Sequence, residues 1–362
     1  MITGVLPSQM LRNMIADGSI AANPAIDPAQ VQPSSLDLRL GRRAWRVRAS
    51  FLSGTGNSVA GRLGDFQMHE IDLGPDGVVL EKGCVYVVEL MERLALPEGT
   101  SAIANAKSST GRLDLFTRLI TDNGVEFDRI EGGYTGPLYA EISPRSFSVL
   151  VRPGDRLNQI RFRTGDARLD DAALSALHDR VNLVNGPAVI DGGLGFSVDL
   201  TAMGGDGIIG YRAKPHTALI DLSRLGHYPV ADFWEPITAP QNRIILDPGA
   251  FYILVSREAV HVPPDYAAEM APYVAMVGEF RVHYAGFFDP GFGHHAAGGS
   301  GSRGVLEVRC HEAPFALEHG QVVGRLVYER MTETPDILYG ADLKSNYQGQ
   351  GLKLSKHFKS VD

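Results

Sequence analysis

The sequence predicts a mainly β protein built from two tandem domains, each a β-barrel or distorted jelly roll with a few short helices. Three observations predict it. Short apolar runs lie between frequent glycine and proline, sustained helical periodicity is scarce, and the chain repeats itself at a domain-sized interval.

The 41 glycines and 21 prolines are spread along the chain and break it into strand-length pieces. Val85-Tyr-Val-Val-Glu-Leu90 and Phe251-Tyr-Ile-Leu-Val255 are two such pieces. Ser8 to Ala16 reads as a short helix, with Met10, Leu11, Met14 and Ile15 on one face. A second helix is expected over 170–181, with Asp170 or Asp171 as its cap.

The repeat rests on four islands. Val78-Val-Leu-Glu-Lys-Gly83 matches Ile244-Ile-Leu-Asp-Pro-Gly249, an offset of 249 − 83 = 166. Leu96-Pro97 matches Val262-Pro263, Glu141 matches Glu307, and Leu150 to Gly154 matches Ala316 to Gly320, all at that same offset. Ser34-Ser-Leu-Asp-Leu38 resembles Phe196-Ser-Val-Asp-Leu200 at a slightly shorter one. The period is too long for a solenoid unit. The chain therefore divides into residues 1–168 and 169–362.

Composition narrows the function. With 44% hydrophobic and 21% charged residues the chain is globular, and its 362 residues are enough for two cores. A net charge of −8 argues against a broad surface for long nucleic acid, though not against a locally basic pocket for one nucleotide. Two distant cysteines, Cys84 and Cys310, form no disulfide framework and suit a reducing compartment. No apolar run reaches the roughly 18 residues of a membrane span. Met1 to Met10 lacks the pattern of a signal peptide, so a cytoplasmic location is expected.

Two segments carry candidate chemistry. Ala106-Lys-Ser-Ser-Thr-Gly-Arg112 follows an expected strand and gathers backbone N–H groups, hydroxyls, a lysine and an arginine. Such a segment suits phosphate oxygens or a developing negative charge. A solvated polar turn is the competing reading. In repeat 2 the offset puts Lys107, Ser108, Ser109 and Arg112 onto Tyr273, Val274, Ala275 and Gly278, so the polar set is present once. Repeat 2 instead has His283-Tyr-Ala-Gly-Phe-Phe-Asp-Pro-Gly-Phe-Gly293, read as a strand and a tight turn, then the strand Gly304-Val-Leu-Glu-Val308. Glu307, flanked by apolar residues, is either half-buried with a raised pKa, as an acid/base group requires, or turned outward.

At these residues the sequence resembles the dCTP deaminases of the trimeric dUTPase-like superfamily. Gln32-Pro-Ser-Ser-Leu-Asp-Leu-Arg-Leu-Gly41 is similar to that family's N-terminal strand motif, and Lys107 to Arg112 to its Arg-Ser-Ser-x-x-Arg signature. Ala285 to Gly291 is similar to its Ala-x-x-Ile-Asp-Pro-Gly segment, with Phe288 for the isoleucine. Val305-Leu-Glu307 is similar to its catalytic strand, and Tyr339 with Tyr347-Gln-Gly-Gln350 to its nucleotide-covering tail.

The resemblance implies two dUTPase-like domains sharing one site, hydrolytic deamination of dCTP to dUTP and ammonia, and no catalytic zinc. Glu307 is then the proton carrier at C4 and N3 of cytosine, Ser108 and the Ala285 backbone position the water, and Arg112 holds the glutamate. Asp289 is implied at the sugar 3′-hydroxyl. Lys107, Ser109, Thr110, Gly111, Val305, Leu306, Tyr339, Tyr347 and Gln350 are implied around the nucleotide, with Mg²⁺ riding on the triphosphate. Asn346 stands where the family's tail has lysine, with Lys344 or Lys353 as substitutes. The reciprocal site around Glu141 lacks serine and arginine and is expected to be inactive.

Other chemistries have signals in the sequence too. A zinc deaminase needs His-x-Glu and Pro-Cys-x-x-Cys, neither of which occurs. His283, His294, His295, His311 and His319 hint at metal, but His294 to Ser302 reads better as a flexible loop, placed directly before the Glu307 strand where a lid would stand. Gly205-Asp-Gly-Ile-Ile-Gly210 has the letters of a dinucleotide fingerprint, yet Pro215 argues against the helix it needs. A dUTP diphosphatase or a bifunctional enzyme stays open, although Glu131 replaces the required aspartate near Tyr134 in one half and Phe292 the required tyrosine near Asp289 in the other. A non-catalytic nucleotide-binding regulator stays open too, and dUTP and dTTP join dCTP as candidate nucleotide ligands. So does the assembly, from monomer to self-associated forms.

Overall fold

Along Val85–Ala95 burial follows the pleat: Tyr86, Val88, Leu90 and Leu94 point into the core, while Arg93 and Ala95 face solvent. That alternation recurs through a computed structural model that describes residues 2–202, 206–272, 280–283, 286–340 and 351–360. Most strands are antiparallel. In the first half the sheet runs Leu115–Thr121, Thr135–Pro144, Val85–Ala95, Leu36–Val47, Arg156–Thr164, Thr100–Ala106, Arg129–Ile130. Leu36–Val47 is long enough, with a register shift between Leu40 and Ala44, to serve two walls of the barrel.

The second half repeats the ladders. Val87 opposes Glu141 and Ile253 opposes Glu307, both pairs separated by 166 (253 − 87 and 307 − 141). Ala102 opposes Phe162 and Ala268 opposes Tyr328, again 166 apart. The expected match of Leu36 to Val198 is corrected. Leu36 opposes Ile160 and Leu194 opposes Leu326, so Leu194 holds Leu36's place and the offset there is 194 − 36 = 158. The reason lies in the strand itself. Its counterpart in the second half is broken into Leu194–Ser197 and Ile208–Ala213, so the sheet splits in two. Ile208–Ala213 is strand rather than helix, which disposes of the dinucleotide motif.

Both expected helices form. Ser8–Ala16 buries Leu11 and Met14. Asp171–Val181 is capped by Asp170, whose carboxylate accepts the Ala173 N–H at 2.8 Å. Asp171 instead accepts the N–H groups of Gly192 and Gly193. The loop after His294 is not the free segment expected. It contains a 3₁₀ turn, His295–Ala297, over a buried His294, and Asn185 donates to the Ser300 carbonyl at 3.2 Å. Backbone polar groups that would leave a loop mobile are here satisfied within the fold.

The two halves are joined by more than contact. Ile220–Asp221 adds a parallel strand to Val149–Val151 of the first half, and Arg152 grips Asp221 at 2.6 Å. Phe147 of the first half, Phe233 and Trp234 of the second, and Phe358 near the C-terminus form one aromatic cluster, with Phe147 and Trp234 edge to face at 5.4 Å. The tail is thereby tied down on the first half. No helix among the described residues is long and apolar enough to cross a membrane.

Candidate active site

Glu307 lies in the strand Ser302–Cys310, between Ile253 on one neighbouring strand and His283 on the other. Its carboxyl is buried, and burial pushes its pKa up to about 8 although Arg112 pulls the other way. The outward-facing alternative is thus ruled out. Arg112 approaches from the first half, with its Nε 3.8 Å from Oε1 of Glu307 and its own side chain buried. One contact between an acid and a guanidinium therefore spans the junction of the repeats.

The Ser/Arg segment folds as one helical turn, Ser108–Gly111, directly after the strand Thr100–Ala106. Lys107 precedes the turn and Arg112 closes it, so their side chains are carried to different places. Lys107 pairs with the buried Asp37 of the strand motif, and a second cation, Arg156, stands 4.0 Å from the same carboxylate. Ser109 and Thr110 are buried, Ser108 half-buried. Asp114, two residues beyond Arg112, adopts a left-handed φ of 53° that an aspartate tolerates, and turns the chain into Leu115–Thr121.

The C-terminal segment lies against this turn. Arg112 donates to the Lys353 carbonyl at 3.1 Å, and the Ser355 hydroxyl donates to the Ser109 carbonyl at 2.8 Å. A cavity of about 330 Å³ opens beside it, lined by Asp37, Lys107, Ser109, Thr110, Arg156 and Lys356 among others. Three cations face two carboxylates there, Asp37 and Asp155. Burial and Lys107 lower the pKa of Lys356, while Asp37 counters them. His357, on the same wall, is held neutral by burial, its pKa lowered to about 4. Such a cavity fits a small, multiply charged anion.

Asp289 is buried and held on the side of the first half. It accepts from the Ser34 hydroxyl and pairs at 3.3 Å with Arg161, a guanidinium with no exposed surface. Arg161 also donates to the Ala268 carbonyl at 3.0 Å, pairs with Glu329 at 3.4 Å, and lies 4.1 Å over the Phe287 ring. Gly291 has φ +96°, and a Cβ there would press Tyr339 O and Leu338 at 3.1 Å. Tyr339 uses that space: its N–H donates to Pro290 O at 2.9 Å and its ring lies 5.5 Å from Phe292. Val305 and Leu306 are buried in the Glu307 strand. Ala285, Asn346, Tyr347, Gln350 and Lys344 lie outside the described residues, as do Tyr273, Val274, Ala275 and Gly278.

The equivalent glutamate in the first half is differently placed. Glu141 is buried too, but Arg118, its cross-strand neighbour, holds it at 2.5 Å. That guanidinium also lies 3.5 Å over the Phe127 ring. Glu131, in the position of Asp289 by strand register (Ala102 with Ile130, Ala268 with Phe288), is exposed and paired with Arg129. Tyr134 donates to the Pro137 carbonyl.

Sequence reasoning missed Arg156 and Lys356 in the cavity, Arg161 and Ser34 behind Asp289, and Arg118 on Glu141. A basic run, Lys353 to Lys359, was the available signal for Lys356. The others depend on strand register, which a single sequence does not reveal. Among the described residues no group of three His, Cys, Asp or Glu side chains stands close enough to hold a metal ion.

A buried acid facing an arginine across two β domains, beside a basic cavity, defines a class of enzyme doing proton-transfer chemistry on a phosphorylated small molecule. Comparison with known proteins makes it particular. The family models for the N-terminal and C-terminal domains of 2′-deoxycytidine 5′-triphosphate deaminase match residues 2–166 and 170–358, so the chain belongs to the dCTP deaminase family. It is similar to the crystal structure of 2′-deoxycytidine 5′-triphosphate deaminase from Agrobacterium tumefaciens, with 57% identity, a TM-score of 0.88, and coverage of 93% of this chain and 100% of that one. A dCTP deaminase of Halorubrum lacusprofundi is 26% identical over 160 residues, 44% of this chain and 76% of that protein. A dUMP-forming dCTP deaminase of Sulfurihydrogenibium is 28% identical over 169 residues, 46% of this chain and 85% of that protein. These two relatives thus match at the scale of one repeat.

Proposed function

We propose that the chain is a hydrolase that converts dCTP and water to dUTP and ammonia, at one site shared between units 1–168 and 169–362. The observation that carries this reading is the Glu307–Arg112 pair, a buried acid with a pKa near 8 contacted by the other repeat. Such an acid is neutral in the resting site and is ready to protonate N3 of cytosine. The carboxylate so formed takes a proton from the water attacking C4 and passes it to the leaving amine; as ammonia departs it takes the remaining hydroxyl proton while the C4 carbonyl forms, so that the acid ends the cycle protonated as it began. Arg112 stabilises the carboxylate in the middle of that cycle. Ser108 and the Ala285 backbone are assigned to the water, and Asp289, fixed by Arg161 and Ser34, to the sugar 3′-hydroxyl. Substrate enters as Mg²⁺–dCTP, its triphosphate in the cavity of Lys107, Arg156 and Lys356.

That dUTP is the end product is supported by the two half-sites. Glu131, which replaces the aspartate near Tyr134, is exposed and paired with Arg129, and Phe292 replaces the tyrosine beside Asp289, so neither repeat presents the aspartate–tyrosine pair of a diphosphatase. Several relatives are named dUMP-forming, so the assay must separate the products. Two free cysteines support a reducing, cytoplasmic setting. The test is incubation with dCTP and Mg²⁺, resolving dCTP, dUTP and dUMP, with Glu307→Gln alongside. Ammonia with dUTP, abolished in the variant, is expected. Accumulating dUMP with pyrophosphate would replace the reading by a bifunctional one, and binding without turnover would replace it by a regulatory one.

A further inference from the structure

A second crevice, of about 380 Å³, opens between the repeats and shares no lining residue with the cavity beside Lys107. Lys82, Arg145, Arg212, Lys214 and Arg309 line it, against Glu235 as the single carboxylate of the lining. At its floor Arg309 pairs with the buried Asp114 and donates to the Ser146 hydroxyl at 3.1 Å, which in turn donates to Asp114 at 2.6 Å. At its mouth Lys82 donates to the Pro215 carbonyl at 3.2 Å and Lys214 to the Ala231 carbonyl at 2.6 Å. Arg212 pairs with Asp247 at 2.8 Å. Lys82, Arg145 and Lys214 form no ion pair among the described residues. An ammonium resting on one carbonyl keeps two N–H donors for a ligand.

Unneutralised cations gathered in a crevice of a chain with net charge −8 mark an anion site. At about 30 Å³ per water-sized group, the space takes on the order of a dozen heavy atoms, far more than one phosphate and close to a triphosphate chain. We propose that this crevice is a second, non-catalytic site for a polyphosphate anion, either free or as the triphosphate end of a nucleotide whose base projects outward. The inference is independent of the deaminase reading. It has a route to the active site, because Arg309 stands two residues from Glu307 on one strand, about 7 Å along it. Asp114 likewise stands two residues from Arg112. A ligand that draws Arg309 from Asp114 therefore acts on both members of the Glu307–Arg112 pair.

The test is calorimetric titration of the full chain with inorganic tripolyphosphate, comparing the native protein, Arg212→Glu/Lys214→Glu and Lys356→Glu. The native chain is expected to bind at two sites. Charge reversal in the crevice should weaken one of them by roughly 10–100-fold and leave KM for dCTP within two-fold, whereas Lys356→Glu should weaken only the other. Lys82→Ala/Lys214→Ala serves the same purpose if charge reversal impairs folding. Competition by GTP for the site left in Lys356→Glu assigns it to nucleotides, and lack of competition assigns it to free polyphosphate. Equal binding by the native and crevice-variant proteins, whatever the number of sites, overturns the proposal; a single native site that crevice charge reversal weakens upholds it and instead removes the triphosphate from the Lys356 cavity.

Discussion

Replacing Glu307 by glutamine should make the protein more stable, and by an amount that depends on pH. The carboxyl has an ordinary pKa of 4.5 and a folded value of about 8, raised by burial against the opposing pull of Arg112. Below pH 4.5 it is neutral in both folded and unfolded chains and adds no penalty. Between the two values the unfolded chain has released a proton that the folded chain must keep. Each pH unit then costs the native protein about 1.36 kcal/mol relative to a neutral isostere. Above pH 8 both states are ionised and the gap levels off, at an upper figure of about 5 kcal/mol. All other groups titrate alike in the two proteins and cancel in the difference. Urea unfolding of native and Glu307→Gln protein at pH 5.5, 6.5, 7.5 and 8.5 should show the variant's advantage widening by about 3 kcal/mol. A gap that stays constant across that range would refute the assignment of a high pKa to Glu307, and with it the argument that the resting acid carries a proton.

Arg112→Ala removes the cation that restrains Glu307, so the glutamate pKa should rise further. The alkaline limb of kcat/KM should then move to higher pH while kcat falls, and an unmoved limb would separate Arg112 from the acid. Lys356→Ala should raise KM for dCTP about ten-fold or more and change kcat little, because a phosphate contact is made equally in ground and transition states. A fall in kcat alone would place Lys356 elsewhere in the cycle. Glu141→Gln should leave turnover within two-fold and lower stability by about 1–2 kcal/mol, since it strands a partly exposed Arg118. Steady-state rates and urea midpoints read both halves of that statement.

Most of the fold was legible because it depends on local pattern. Alternating runs between glycine and proline mark strands whatever their partners, and four islands at 166 survive because the ladders they form have kept their register. The error at Leu36 has a physical origin. Breaking one long strand into two changes the loop length between them, and a matched motif then slides onto the wrong residues. The site was legible in its parts but not in its contacts. Glu307 stands among apolar letters, so its burial could be read, yet a strand glutamate at 141 has similar neighbours and a different fate. What separates them is Arg118, 23 residues away and directly across the ladder. Arg161 behind Asp289 was hidden in the same way, as an ordinary strand arginine until the second repeat closes over it.

That difference between the two glutamates leads to a last prediction. Both occupy one register in equivalent ladders, but Glu141 meets its cation within its own repeat and Glu307 across the junction. The Arg118 guanidinium lies 2.5 Å from Glu141 and already occupies its carboxylate. Arg118→Met removes that partner and leaves an acid as deeply buried as Glu307. If a buried acid freed from its own repeat's cation were all that deamination required, Arg118→Met in a Glu307→Gln background would restore turnover. By the 166 offset in sequence, however, Val274 and Gly278 correspond to Ser108 and Arg112. The double variant should therefore stay inactive in the ammonia assay. Activity in that double variant would mean that the serine and arginine of the opposing repeat are dispensable, and the single composite site would lose its basis.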